Sequence, residues 1–401
     1  MEALFPDSLI VRNQTKIVFL IVDGLGGLAM GGKGGSELQV ARTPNLDALA
    51  AGSLCGLLEM VAPGVTPGSG PGHLALFGYD PVQRHIGRGV LSALGIDFPL
   101  RENDLAARVN FATLDEDGRV IDRRAGRIST ERARELCQKV KSAVDLSPVE
   151  IFFEAEREHR AALILRGPNL EADLTDTDPQ ATGVSPRTCR ATHPRAEGTA
   201  ELINRFLQQT RHILSDAAPA NMVLLRGFAQ YEKYPSLEER YGLRAIAIAK
   251  YPMYRGLARL LGMTILEPYR DYADMLERLR SRLAEYDFFF LHIKEADSRG
   301  EDGDFEGKVR ILEEIDGLTP ALQDLRPEVL VVTGDHSTPS ALRAHSWHPV
   351  PVLLHSPSAR ADGTPHFDEY HCARGGLGTR PAVELMSLAL AHAGRLTKYG
   401  A

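Results

Sequence analysis

The sequence predicts an α/β protein: an open, mostly parallel sheet with helices on both faces, carrying a smaller inserted α+β domain. Three observations lead there. Short unbroken apolar runs bounded by polar residues recur towards both ends of the chain, as strands buried on both faces of a parallel sheet require. Amphipathic stretches alternate with those runs, such as Asp271 to Glu285 with Met275, Leu276, Leu279 and Leu283 on one stripe. The middle of the chain instead pairs two short apolar segments around a polar connection. At 401 residues there is length for two domains. The expected division is 16–96 with 246–401 for the α/β domain and 97–245 for the insertion, with hinges at the two connections.

Lys16 to Val22 is the first strand and ends in Asp23, an acid whose burial is costly unless it is paired or bound to a cation. Asp23-Gly24-Leu25-Gly26-Gly27-Leu28-Ala29 contains a Gly-x-Gly-x-x-Ala match, but a dinucleotide fingerprint needs its helix to begin at once. Gly31, Gly32, Gly34 and Gly35 would break that helix, and the next helix start is Thr43-Pro44-Asn45-Leu46-Asp47. The segment therefore reads as a connecting loop, with no nucleotide cofactor. Pro67-Gly68-Ser69-Gly70-Pro71-Gly72-His73 reads locally as a turn whose small residues let a substrate approach a hydroxyl. Ser69 becomes a nucleophile only if something activates it.

In the insertion, Ser129-Thr130-Glu131 starts a helix to about Val144. Glu150 to Phe153 and Ala161 to Leu165 form a hairpin around Glu154 to Arg160. Thr175 to Pro194 is a loop, and a helix runs from about Glu197 to Leu214. In the last third, Asp287 to Leu291 runs into His292, Lys294 and Asp297. Val329 to Thr333 runs into Asp335 and His336, and Val350 to Leu354 runs into His355. Ligands of open α/β sheets sit beyond the carboxyl ends of strands, so these ends, with Asp23, are expected to converge. Eight of the 13 histidines follow residue 290, and Asp297 and Glu301 are expected to flank a tight Ser298-Arg299-Gly300 turn. Mixed carboxylate and imidazole ligands suit Mn²⁺ or Zn²⁺, with Mg²⁺ where oxygen dominates. Two such ions would lower the pKa of Ser69 and neutralise a phosphate in transfer.

Composition narrows the partners. Acids outnumber bases 53 to 46 for a net charge of −7 with no block of like charge, which argues against nucleic acid or an anionic membrane surface. The longest apolar run, Ile17 to Val22, is far short of the ~20 residues of a membrane helix. Met1-Glu2-Ala3-Leu4-Phe5-Pro6 lacks the start of a secretory signal. Cys55, Cys137, Cys189 and Cys372 are scattered and read as reduced thiols, so a cytoplasmic location is expected.

The chain also resembles a known family, the cofactor-independent phosphoglycerate mutases of archaeal type. The resemblance rests on Val22-Asp23-Gly24, Pro67-Gly68-Ser69, Leu76-Phe77-Gly78-Tyr79-Asp80-Pro81, Gly87-Arg88-Gly89 and Asp122-Arg123-Arg124-Ala125-Gly126-Arg127. Gly303-Asp304-Phe305-Glu306-Gly307-Lys308, Gly334-Asp335-His336-Ser337-Thr338-Pro339 and His345-Ser346 continue it in order, over about residues 16 to 390. The resemblance implies the alkaline phosphatase superfamily and interconversion of 2- and 3-phosphoglycerate through a phosphoserine. Two divalent ions, Mn²⁺ or Mg²⁺ with Zn²⁺ as the alternative, would serve, without 2,3-bisphosphoglycerate. It implies Ser69 as nucleophile, Asp23, Ser69, Asp335 and His336 around one ion, and Asp297, Glu301 and His345 around the other. Arg124 and Arg127, with Arg88 nearby, would bind phosphate and carboxylate, His73 and Lys250 would join the substrate contacts, and Asp122 would shuttle the proton. The chain departs from the family twice. Glu301 stands where histidine is usual, and Gly70 replaces the acid that usually follows the nucleophile. A homo-oligomer is left open. Two other readings share this chemistry: a metal-dependent phosphatase or phosphotransferase of the homoserine-kinase-like kind, and a metal-binding protein without activity.

Overall fold

The structure, a computed structural model, describes residues 5–83 and 86–400. Thirteen strands are named in chain order: β1 (Ile17–Val22), β2 (Leu54–Glu59), β3 (Leu105–Leu114), β4 (Val120–Asp122), β5 (Glu150–Arg157), β6 (Arg160–Arg166), β7 (Met222–Gln230), β8 (Ala245–Ile248), β9 (Thr264–Ile265), β10 (Phe288–Ile293), β11 (Val329–Thr333), β12 (Val350–His355) and β13 (Gly378–Pro381). The chain divides into two compact units. The first takes the described residues of Met1–His85, Pro235–Tyr251 and Leu261–Ala401; the second takes those of Ile86–Tyr234 and Pro252–Leu260. The boundaries expected at 97 and 245 thus fall at about 86 and 234, and a short later segment joins the insertion. Packing decides this. Helix Arg88–Gly95, buried over most of its length, lies against β3 and against helix Pro252–Leu260.

The first unit holds an eight-stranded sheet in the order β13-β2-β12-β11-β1-β10-β8-β9. Every residue of β1, β10 and β11 is buried, which their largely apolar sequences allow, with His292 and Thr333 the polar exceptions. β1 runs parallel to β10 and β11, and β8 parallel to β10 and β9. β12 alone is antiparallel to its neighbours, β11 and β2. That reversal corrects one expectation. His355, at the end of β12, is the register partner of Leu330 near the start of β11, and its Nδ1 lies 3.2 Å from Ser53 Oγ. It sits at the opposite end of the sheet from Asp23. The start of β12 lies instead beside the end of β11, which brings His345 where His355 had been expected.

The second unit is an antiparallel sheet, β4-β3-β6-β5 with β7 on β3. Helix Thr130–Ala143 is capped by the Ser129 side chain, which accepts from Arg132 N, and with helix Glu197–Ile213 it covers one face. Leu136, Val140, Phe153, Ile203 and Phe206 meet in its core. The hairpin strands run further than their apolar sequences, because β5 is an edge strand whose polar residues Glu154 and Glu156 are only half-buried.

Candidate metal centre and nucleophile

The centre assembles at the carboxyl edge of β1, β10 and β11. Asp23 follows β1 and is locked in place by its amide, which donates to Ile293 O at 2.8 Å. Beyond β10 the chain enters helix Glu295–Asp302 at once, so Asp297 and Glu301 are four residues apart on one helical face and not on the two sides of a turn. Beyond β11 come Asp335 and His336, both fully buried. Two groups of ligand atoms result, Asp23 with Asp335 and His336, and Asp297 with His336 and His345, each within 4.8 Å of one another.

Ser69, expected in a turn, is the first residue of helix Ser69–Leu76, and its Oγ lies 3.1 Å from His336 Nε2. The helix can approach this closely because of Gly72, where a Cβ would stand 2.0 Å from Asp335 O. His73, one residue on, is fully enclosed: Nδ1 lies 2.8 Å from Ser69 O and 3.2 Å from Asp335 Oδ2. The ring, expected among the substrate contacts, is instead enclosed against Ser69 and Asp335.

A hydroxyl links the two groups. Thr338 Oγ1 donates to Asp297 Oδ1 at 2.6 Å and lies 2.9 Å from His336 Nδ1. That contact commits Nδ1 of His336 and turns Nε2 towards Ser69 Oγ, Asp23 Oδ1 (3.3 Å) and Asp335 Oδ2 (3.2 Å). His345 is oriented the same way, its Nδ1 3.1 Å from Pro67 O and its Nε2 3.4 Å from Asp297 Oδ1, with its ring stacked on His336 at 3.7 Å. Burial works against charge on His345, but Asp297 outweighs it and raises the imidazole to about 9. Burial likewise opposes the charge of Asp297, yet His345 and Lys294 hold it at about 2. Asp23 is fully buried and still kept well below the usual carboxylate range by Lys294, His292 and His336. His336 and His292 are pushed down by burial.

Glu301 stands apart from both groups. Its Oε1 is 3.8 Å from His345 Nε2, its side chain is 56% exposed, and burial together with Asp297 raises its pKa. Lys294, named in the sequence only as a strand-end residue, proves central: its ammonium lies 3.1 Å from Asp23 Oδ2 and touches Asp297 Oδ2. Its place just past a wholly buried strand, three residues before Asp297, was the available signal. Thr338 left no signal in sequence, since its role depends on partners 41 residues away.

Three buried carboxylates around the Lys294 ammonium make an acidic pocket, and its mixed oxygen and imidazole donors fit divalent ions. Lys250, in the same unit, lies 3.6 Å from Glu295 Oε1 and 4.5 Å from the Tyr269 ring centroid.

The second unit gathers guanidinium groups. Asp122 ends β4, and its two oxygens accept from the amides of Arg124 (2.8 Å) and Gly126 (2.6 Å), which also lower its pKa against the opposing effect of burial. Arg124 and Arg127 belong to that turn, in which Ala125, Gly126 and Arg127 all have positive φ. Arg88 opens helix Arg88–Gly95, its pKa lowered by burial and by Arg226. Arg108 is the cross-strand partner of Arg226, and Arg123 grips the buried Asp178 through two bonds of 2.9 and 2.7 Å. Next to them His159 is pushed down to about 4 by burial and by Arg160, Arg124 and Arg108. Arg108, Arg160 and Arg226 were missed in sequence because strand register, not local pattern, brings them together.

Fold and centre together define the class, an α/β protein with a buried carboxylate–imidazole cluster at the strand ends suited to divalent ions. A family model described as 2,3-bisphosphoglycerate-independent phosphoglycerate mutase matches residues 50–221. A Thermus thermophilus protein named "Probable 2,3-bisphosphoglycerate-independent phosphoglycerate mutase" is 49% identical over 99% of this chain and 100% of its own length. Among solved structures, a Pyrococcus horikoshii protein superposes with a TM-score of 0.83 at 26% identity, covering 96% of this chain and 99% of its own. The cofactor-independent phosphoglycerate mutase of Thermoplasma acidophilum superposes at 0.69 with 30% identity, covering 94% and 100%. The chain belongs to the 2,3-bisphosphoglycerate-independent phosphoglycerate mutase family. No described helix is long and apolar enough to cross a membrane.

Proposed function

We propose that this chain interconverts 2- and 3-phosphoglycerate by passing the phosphoryl group through Ser69. The observation that carries the reading is the placement of Ser69 Oγ, at a helix start and 3.1 Å from His336, beside two carboxylate–imidazole groups that share that histidine. Asp23, Ser69, Asp335 and His336 would hold one divalent ion, and Asp297 and His345, with Glu301 turned inward, the other. Oxygen-rich donors favour Mn²⁺ or Mg²⁺, and the imidazoles admit Zn²⁺. Bound ions would supply charge neutralisation and a lowered pKa for the serine hydroxyl.

The remaining work falls to side chains of the chain itself. Ser69 Oγ forms a bond to phosphorus as the bond from phosphorus to one glycerate oxygen breaks. The phosphoryl group then returns to the other glycerate oxygen, and the Ser69 oxygen is released. Asp122 shuttles one proton between the two glycerate oxygens: it gives the proton to the oxygen freed in the first transfer and then, as a carboxylate held by two amides, takes it back from the hydroxyl phosphorylated in the second. Arg88, Arg124 and Arg127 are assigned to the carboxylate and phosphate, which a planar guanidinium grips at two points. Lys250 is assigned to the phosphate, and His73 is a positioning residue for Ser69. Four buried free thiols support a cytoplasmic setting.

Incubation with 3-phosphoglycerate and Mn²⁺ is expected to give 2-phosphoglycerate without free phosphate, and a phosphate adduct on Ser69 in quenched protein. Accumulating phosphate would assign the chain to phosphatases instead. Turnover without any adduct on Ser69 would remove the mechanism.

A further inference from the structure

Outside the cluster around Asp23, Asp297 and Asp335, two histidine–carboxylate pairs line one cavity of about 290 Å³ in the first unit. His366 Nδ1 lies 2.8 Å from Asp47 Oδ2, and His371 Nδ1 lies 2.7 Å from Asp368 Oδ2. Both carboxylates are themselves fixed by the backbone. The other oxygen of Asp47 accepts from Phe367 N at 2.9 Å, and that of Asp368 accepts from the amides of Tyr370 and His371, each at 2.8 Å. Each ring is thus held by its Nδ1, and the carboxylates fix the tautomer in which Nε2 carries a lone pair. This is how proteins orient imidazoles that bind metals.

The two rings also lie close together, with centroids 4.9 Å apart and planes at 63°. Two imidazoles bound through Nε2 to one zinc at about 2.1 Å, with a near-tetrahedral angle, place their centroids about 5 Å apart. Charge points to a cation as the ligand. Asp47 and Asp368 line the cavity, and no lysine or arginine does so among the described residues. We propose that His366 and His371 form a second, non-catalytic site for a borderline transition-metal cation such as Zn²⁺, with Asp47 and Asp368 as the acids behind the ligands. The remaining coordination positions fall to water or to Gln39, which lines the same cavity. The ion would tie helix Pro44–Ala51 to a segment more than 300 residues later, which the His366–Asp47 contact already joins.

The test is zinc stoichiometry of the full chain after equilibrium dialysis, read by elemental analysis. Wild type is expected to hold one zinc equivalent more than His366→Ala/His371→Ala, and that variant is expected to keep its Mn²⁺-supported turnover. Asp335→Asn, altered only in the catalytic cluster, should retain the extra equivalent. Asp47→Asn, which leaves both imidazoles in place, should weaken that equivalent about 10-fold or more. Equal zinc content in wild type and the double variant would overturn the proposal, as would unchanged zinc affinity in Asp47→Asn.

Discussion

In the first unit the polar groups gathered at the carboxyl edge of β1, β10 and β11 are acids and imidazoles. In the second, those gathered on β3, β6, β7 and the turn after β4 are guanidinium groups. Each collection concentrates one sign of charge and only partly neutralises it: Lys294 sits among Asp23 and Asp297, while Asp176 and Asp178 sit among Arg123 and Arg226. A parallel sheet delivers its strand ends to one edge, so residues from distant segments meet there as tips. An antiparallel sheet delivers its side chains across a face, so cross-strand neighbours meet by register. The lesson is that one unit concentrates negative charge and the other positive charge, and that each uses the geometry its sheet provides.

The sharpest way to separate the two is Ser69→Ala. It should lower mutase turnover by on the order of 10⁴-fold or more, as loss of a covalent nucleophile does, while equilibrium binding of phosphoglycerate to the arginine-rich unit stays within a few-fold; ³¹P NMR reads the first and calorimetry the second. Retained turnover would break the assignment. Next in size is Asp335→Asn, which removes one charge from a fully buried ligand group. Mn²⁺ affinity, followed by titration calorimetry, should drop by about 100-fold, without effect on the pH dependence of the second unit.

Thr338→Val should weaken Mn²⁺ binding by about 10-fold, because the hydroxyl no longer fixes His336 and Asp297, and Thr338→Ser should restore it. Equal affinity in all three proteins would show that the bridge is incidental. The smallest effect belongs to His159. Its folded pKa of about 4 lies below the ordinary 6.5, so the unfolded chain takes up a proton first as pH falls. Stability contributed by the neutral ring is complete above about 6.5 and is lost between there and about 4. His159→Gln should reduce the fall in urea midpoint across that window, and an unchanged slope would mean that the ring is not held neutral by its arginine neighbours.

Much of the centre was legible in sequence because acids and histidines at the ends of wholly apolar runs have few reasons to be there. Asp23, Asp297, Asp335 and His336 all announced themselves in that way. Other features were not legible for identifiable reasons. The reversal of β12, which moves His355 away and brings His345 in, is a matter of pairing direction, and an apolar run reads the same either way. The helix at Ser69 looked like a turn because Gly70, Pro71 and Gly72 have poor helix propensity. Contact with the Asp335 carbonyl, which only Gly72 permits, overrides it. Glu301 is a ligand by the family resemblance and was expected across a tight turn from Asp297, yet it shares a helix with Asp297 and about half its side chain faces solvent.

The sequence by itself determined the central strands β1, β10, β11 and β12 and the β5–β6 hairpin, the acid and imidazole inventory at the strand ends and the change of pattern in the middle of the chain, because hydrophobic period and residue chemistry are local properties. Tertiary structure alone decided which tips share an ion-sized space, that Thr338 joins them, where the units divide and which arginines form a cluster. Those outcomes depend on strand order, direction and register, which are set by the packing of segments hundreds of residues apart.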